Sequence, residues 1–254
     1  MATIRRYFFV LLLLIGSVPV FAQKRSLMVV YIGDSITAGA GISYAADYPT
    51  AICDDALKAA KFDALRSSNQ GHSGYTTVDF LPGSNTFAQV EKAANEFKSA
   101  PGILVFSIML GTNDSAIEGP NGSPVAKEQY YQNLKTIVDR LLKDYPGSKL
   151  VINHPLWYSP NTYNCAKYLQ EGLNRLQSYF PQIDKLVASY SQSNKGRVFL
   201  GDTAAFAYFE KNHLTCLQPE NGHQGTFYLH PNETGAKALG QFWAKAITNA
   251  VKAR

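Results

Sequence analysis

Three cysteines in 254 residues leave little material for a disulfide-stapled scaffold, and Cys53, Cys165 and Cys216 lie too far apart for a zinc ribbon or a Cys-x-x-Cys redox pair. Clustered positive charge is equally sparse. The formal charge of +5 falls to about +3 once Arg5 and Arg6 are set aside, and beyond them only the isolated pair Lys24 and Arg25 stands out, which gives no footing for a nucleic-acid partner. There is no His-Glu-x-x-His string, and His72, His154, His213 and His223 have no companions at metal-ligand spacing. Gly-x-Ser-x-Gly is absent too, which removes the nucleophile elbow of the α/β-hydrolases. Asn113-Asp114 lacks the following histidine that a metallophosphoesterase would use, so no bound metal and no cofactor are expected. No linker, internal repeat or low-complexity tract interrupts the chain. With 46% hydrophobic and 17% charged residues, it reads as an ordinary folded protein rather than a disordered, collagenous or coiled-coil one.

One long apolar run is present, Tyr7 to Val18, preceded by Arg5 and Arg6 and broken by Pro19. A membrane span needs roughly 20 apolar residues, and this run is closer to a dozen. Small side chains at Val20 and Ala22 suit a signal peptidase, so residues 1–22 are expected to be a signal peptide and residues 23–254 a single mature domain. No cysteine follows the run to carry a lipid, so a secreted or periplasmic chain free of the membrane is expected. Such a compartment permits disulfides, although an odd cysteine count leaves at least one thiol free. Cys53 falls within a helical pattern as a buried thiol. Cys165 and Cys216 fall in polar, loop-like stretches, where a bridge between them and two free thiols are equally open readings.

The remaining sequence alternates. Continuous apolar runs at Leu27–Ile32 and Ile103–Leu110, each ended by glycine, read as strands buried on both faces. Shorter runs of the same kind cover Lys149–Ile152 and Val198–Leu200, with a weaker one at Ala64–Ser68. Helical patterns cover Pro49–Lys61, Asn85–Ser99, Val125–Asp144, Ala166–Ser189 and Thr234–Lys252. Strand and helix in alternation predict an α/β fold, a parallel sheet with helices on both faces. Ligands of such sheets bind beyond the carboxyl ends of the strands, so the residues after each run are where chemistry belongs.

After the first strand comes Gly33-Asp34-Ser35-Ile36-Thr37. After the weak second comes Asn69-Gln70-Gly71-His72-Ser73-Gly74, and after the third Gly111-Thr112-Asn113-Asp114. Leu229-His230-Pro231-Asn232 opens the last helix. In type, order and spacing these four segments resemble the SGNH hydrolases, the GDSL esterase and lipase family, over nearly all of the mature chain. The resemblance implies a three-layer α/β/α sandwich of flavodoxin-like order and a cofactor-free serine esterase.

Acyl transfer asks for a nucleophile, a base within hydrogen-bond reach, and donors aimed at the oxygen that becomes anionic. Ser35, on a glycine-flanked turn after a buried strand, supplies the hydroxyl. His230 supplies an imidazole able to take its proton. The backbone N–H groups of Ser35 and Gly74 and the side-chain NH2 of Asn113 would form the oxyanion hole, the resemblance being what lifts Gly74 and Asn113 above a turn glycine and an Asx cap. By the same resemblance, Asp34 and Asp114 are expected to hold the loops rather than to react.

One position departs from the family pattern. Where an aspartate usually stands three residues before the histidine, this chain has Phe227. The expectation is therefore a Ser–His dyad, with Glu220 and Asp202 as the carboxylates that could instead orient the ring, and an inactive descendant that only binds carbohydrate as a further alternative. The family resemblance suggests an O-acyl ester substrate, foremost an O-acetyl group on a polysaccharide, with a lipid or thioester as the alternative. The aromatic segment His154–Tyr163 could stack on sugars or pack on itself.

Overall fold

The structure, a computed structural model, describes residues 26–62 and 64–253. The expected signal segment lies outside the described residues. Five parallel strands form the central sheet: β1 (Ser26–Gly33), β2 (Ala64–Gly71), β3 (Ile103–Met109), β4 (Lys149–Ile152) and β5 (Val198–Leu200), in the order β2-β1-β3-β4-β5. The two central strands are apolar nearly throughout because helices cover both of their faces. At the edge, β2 reads ALRSSNQG and is largely exposed, which explains its weak sequence signal.

The helices are α1 (Ser35–Ala38), α2 (Pro49–Ala59), α3 (Asn85–Phe97), α4 (Lys127–Asp144), α5 (Leu169–Ser178), α6 (Phe180–Ser193), α7 (Ala205–Cys216) and α8 (Glu233–Lys252). Four begin close to where the sequence places them, with Pro49 opening α2, Ser84 capping α3 through Phe87 N–H, and Asn232 capping α8 through Gly235 N–H. The single helix expected over Ala166–Ser189 is instead α5 and α6, divided at Tyr179 because Pro181 can sit only in a first turn. Neither α7 nor the antiparallel hairpin after it, β6 (Leu217–Gly222) and β7 (Gly225–Pro231), is foreseen by the sequence pattern.

Pairing order reverses between β1 and β3, since β1 lies between β2 and β3. The loops leaving these two strands therefore diverge to opposite sides and leave a crevice at their carboxyl ends. Ser35 stands at the end of one strand and Asn113 just past the other. At Gly33 the chain must pass so close to Thr37 that a Cβ would strike that side chain, which fixes glycine at the strand-to-turn transition. Among the described residues, no helix is long and apolar enough to cross a membrane.

The Cys165–Cys216 bridge does not form: Cys53, Cys165 and Cys216 are all free thiols. Cys216 closes α7 and is buried in contact with the Tyr208 hydroxyl, while Cys165 is exposed on the segment before α5. The aromatic stretch after β4 is also settled inward. Trp157 and Tyr158 are buried in the core, and Tyr158 shares a hydrogen bond with Ser115. Their apolar faces are spent on packing.

Candidate active site

Ser35 begins α1 directly after β1. The helix is capped not by Ser35 but by Asp34, whose Oδ1 accepts the Ile36 N–H at 3.0 Å. That division of labour leaves the Ser35 hydroxyl free, and it meets Nε2 of His230 at 2.9 Å. The two residues are 195 positions apart in the chain.

On the other side of the imidazole, Nδ1 lies 2.9 Å from Oε1 and 3.0 Å from Oε2 of Glu220, and Oε1 also accepts the His230 backbone N–H at 3.2 Å. The expected dyad is thus corrected to a hydroxyl–imidazole–carboxylate chain. Asp202 is not part of it. Its carboxylate accepts the N–H groups of Ala204 and Ala205 and holds the entry to α7.

The hairpin explains how a glutamate comes to serve where the resemblance would have an aspartate. Glu220 is paired across the ladder with Phe227, the residue three before the histidine. Directly opposite residues in an antiparallel pair share a face, so the carboxylate arrives from the neighbouring strand at nearly the same place. Regular alternation would then turn His230 to the other face. Between the pairs Leu217–Pro231 and Pro219–Tyr228, however, Gln218 is opposed by two residues, Leu229 and His230. This bulge breaks the alternation, and Leu229 and His230 both line the cleft.

Ser35, Ser73, Gly74, Tyr75, Asn113, Tyr168 and His230 are among the residues lining a cavity of about 600 Å³. Gly74 has φ +80°, a left-handed conformation that penalises any side chain even though a Cβ would meet nothing within 4 Å. The Asn113 amide is held at both ends: Nδ2 donates to Tyr75 O at 2.9 Å, and Oδ1 accepts from the Tyr168 hydroxyl at 2.7 Å. One N–H of the NH2 group remains for the cavity. Tyr168 carries no sequence motif and is missed by sequence reasoning.

Behind the cavity, Asp114 is fully buried and accepts the Thr77 N–H at 3.0 Å along with the Thr77 hydroxyl, tying the loop after β2 to the loop after β3. Burial pushes its carboxyl up to about 7. Asp34, buried likewise, is also raised by desolvation. The expectation that both acids hold loops matches these contacts. His72 stacks beneath Tyr75, ring centroids 5.0 Å apart, and burial lowers its imidazole toward the neutral form. Among the described residues, no group of three His, Cys, Asp or Glu side chains is arranged to hold a metal ion.

A five-stranded parallel sheet flanked by helices, with a serine hydroxyl and an imidazole in hydrogen-bond contact at its carboxyl edge, defines an α/β protein carrying a serine–histidine pair. Residues 31–238 match the model of the GDSL-like lipase/acylhydrolase family, and the chain belongs to that family. It is an ester hydrolase by that membership.

Solved structures similar to it share the fold at low identity. Est24, a carbohydrate acetylesterase from Sinorhizobium meliloti, is 17% identical with a TM-score of 0.59, covering 88% of this chain and 99% of its own. An aryl esterase from M. smegmatis is 16% identical with a TM-score of 0.59, covering 89% and 100%. A lipolytic G-D-S-L family member from Veillonella parvula is 19% identical with a TM-score of 0.56, covering 88% and 99%. No curated protein matches the chain in sequence.

Proposed function

We propose that the chain is an exported serine esterase that removes O-acetyl groups from a carbohydrate, with Ser35 as nucleophile, His230 as general base and acid, and Glu220 as the carboxylate that orients the ring. The observation that carries this reading is the continuous Ser35–His230–Glu220 hydrogen-bond chain, 2.9 Å at each link through the imidazole. Ser35 Oγ attacks the ester carbonyl carbon as its proton passes to Nε2. The carbonyl oxygen becomes anionic among the N–H groups of Ser35 and Gly74 and the Asn113 amide. Collapse expels the alcohol, which takes the proton from Nε2 and leaves an acyl group on Ser35. Water, deprotonated by His230, then releases the acid and restores the serine. Glu220 holds the Nδ1–H tautomer and balances the imidazolium in both halves.

The carbohydrate assignment draws support from the polar part of the cavity lining, Asp79, Asn121 and Asn164: the Asn121 amide donates to Asp79 Oδ1 at 2.8 Å and Asn164 Oδ1 accepts the Ala166 N–H at 2.8 Å, which leaves the remaining amide N–H and lone-pair positions for sugar hydroxyls. Tyr75, 36% exposed, offers an aromatic face there. The space is far larger than an acetyl group, which leaves room for the alcohol portion. Est24, named a carbohydrate acetylesterase, has the same fold. Export rests on the Arg5–Ala22 pattern.

The test is acetate release from an acetylated glycan. Ser35→Ala should lower turnover by about 10⁴-fold with its melting curve unchanged, and an activated organophosphonate should label wild type but not the variant. Equal acetate release by the two proteins would remove Ser35 from the mechanism. Glycan binding without organophosphonate labelling would mark an inactive binding descendant. Preference for long over short p-nitrophenyl esters would move the substrate to lipids.

A further inference from the structure

Asn113 can stabilise an oxyanion only if its amide nitrogen, not its oxygen, faces the developing charge. A free asparagine side chain rotates, and averaging over rotamers would weaken such a donor. The orientation here is set by two partners of opposite kind. The Tyr75 carbonyl can only accept and therefore takes an N–H, while the Tyr168 hydroxyl donates to Oδ1.

Tyr168 is itself constrained. It lies 3% exposed at the cap of α5, its backbone N–H bonded to Thr162 O at 3.2 Å and its ring edge-on to Tyr158 at 5.3 Å. Burial holds the phenol well above the ordinary tyrosine range, so it remains a donor throughout the working pH range. A donor on the amide oxygen also draws electron density from the nitrogen and strengthens the N–H that remains free.

We propose that Tyr168 is a positioning residue for ester hydrolysis, acting through Asn113 by fixing and polarising the amide that receives the oxyanion. This rests on the oxyanion-hole reading above. The alkoxide-like oxygen exists only in the tetrahedral species, so the contribution of Tyr168 falls on kcat and not on ground-state binding.

The experiment is a double-mutant cycle on the full mature chain with p-nitrophenyl acetate. Asn113→Ala is expected to lose about 10²–10³-fold in kcat. Tyr168→Phe, which keeps the ring, is expected to lose about tenfold in kcat with KM within about twofold of wild type. In the Asn113→Ala background, Tyr168→Phe should cost nothing further. Replacing Tyr168 with 3-fluorotyrosine, which keeps the donor, should preserve wild-type kcat.

An undiminished kcat in Tyr168→Phe beside an impaired Asn113→Ala overturns the role of Tyr168 while leaving the oxyanion hole standing. The same tenfold loss in both backgrounds, or an equal loss with 3-fluorotyrosine, makes the effect one of packing and also overturns it. An unimpaired Asn113→Ala removes the oxyanion reading itself.

Discussion

Two buried or half-buried carboxylates flank the carboxyl ends of the strands in this part of the chain, and their hydrogen bonds separate their duties. Glu220 spends both oxygens on His230, whereas Asp202 spends both on backbone N–H groups of α7. Glu220→Gln keeps one acceptor but loses the charge that holds the tautomer and balances the imidazolium. A fall in kcat of about 10³-fold is expected, against only a few-fold for Asp202→Asn; steady-state kinetics on p-nitrophenyl acetate measure both. Ser35 and His230 were legible because each sits in a short string tied to a strand end or a helix start. Glu220 stands in the sequence only as an alternative, since nothing local marks a residue whose partner is fixed by cross-strand pairing. Tyr168 left no trace at all: a tyrosine at a helix entry gains meaning only once Asn113 is beside it.

At the level of elements, the central sheet was readable from β1, β3 and β4, whose apolar runs announce burial; β5, half-buried to exposed, is marked by its three apolar side chains alone. The hairpin was not. Gly225 and the Pro219 and Pro231 positions read as loop chemistry, and β6, LQPENG, has almost no alternation to detect. One side chain ties in its two chain ends. Asn232, just past β7, accepts the Gly235 N–H at 3.0 Å and donates to Thr215 O at 3.0 Å and Leu217 O at 3.3 Å, joining the end of α7, the start of β6 and the entry to α8. Asn232→Ala should therefore cost more than a simple cap, about 2 kcal/mol, seen as a lower urea midpoint with unchanged m. A cost below about 0.5 kcal/mol would mean that the junction is held elsewhere.

The whole molecule inherits a pH dependence from Asp114. Its carboxyl lies near 7 in the fold and near 3.8 when the chain is unfolded, so between those values the folded state binds the extra proton. The stabilisation is fully present below about pH 4 and is lost as pH rises through about 7, and the unfolding free energy acquires a downward slope across that window. Asp114→Asn removes the titration. The stability of the variant relative to wild type should increase from pH 5 to pH 8 in urea melts at each pH, and a constant difference would contradict the assignment. Asp114 accepts the N–H of Thr77, three residues beyond Gly74.

The stretch from Ser159 to Tyr168 touches both halves of the machinery. Ser159 N–H bonds Tyr228 O at 2.9 Å and its hydroxyl accepts the Tyr228 N–H at 2.8 Å, while Asn161 reaches Gln224 O and Thr226 O. At its far end stands the Asn113 contact of Tyr168. A chimera that exchanged either this stretch or the hairpin alone with a relative would arrive with mismatched halves. Every contact on the hairpin side is a main-chain atom, so it is the hairpin's backbone path, bulge included, that this stretch has to match.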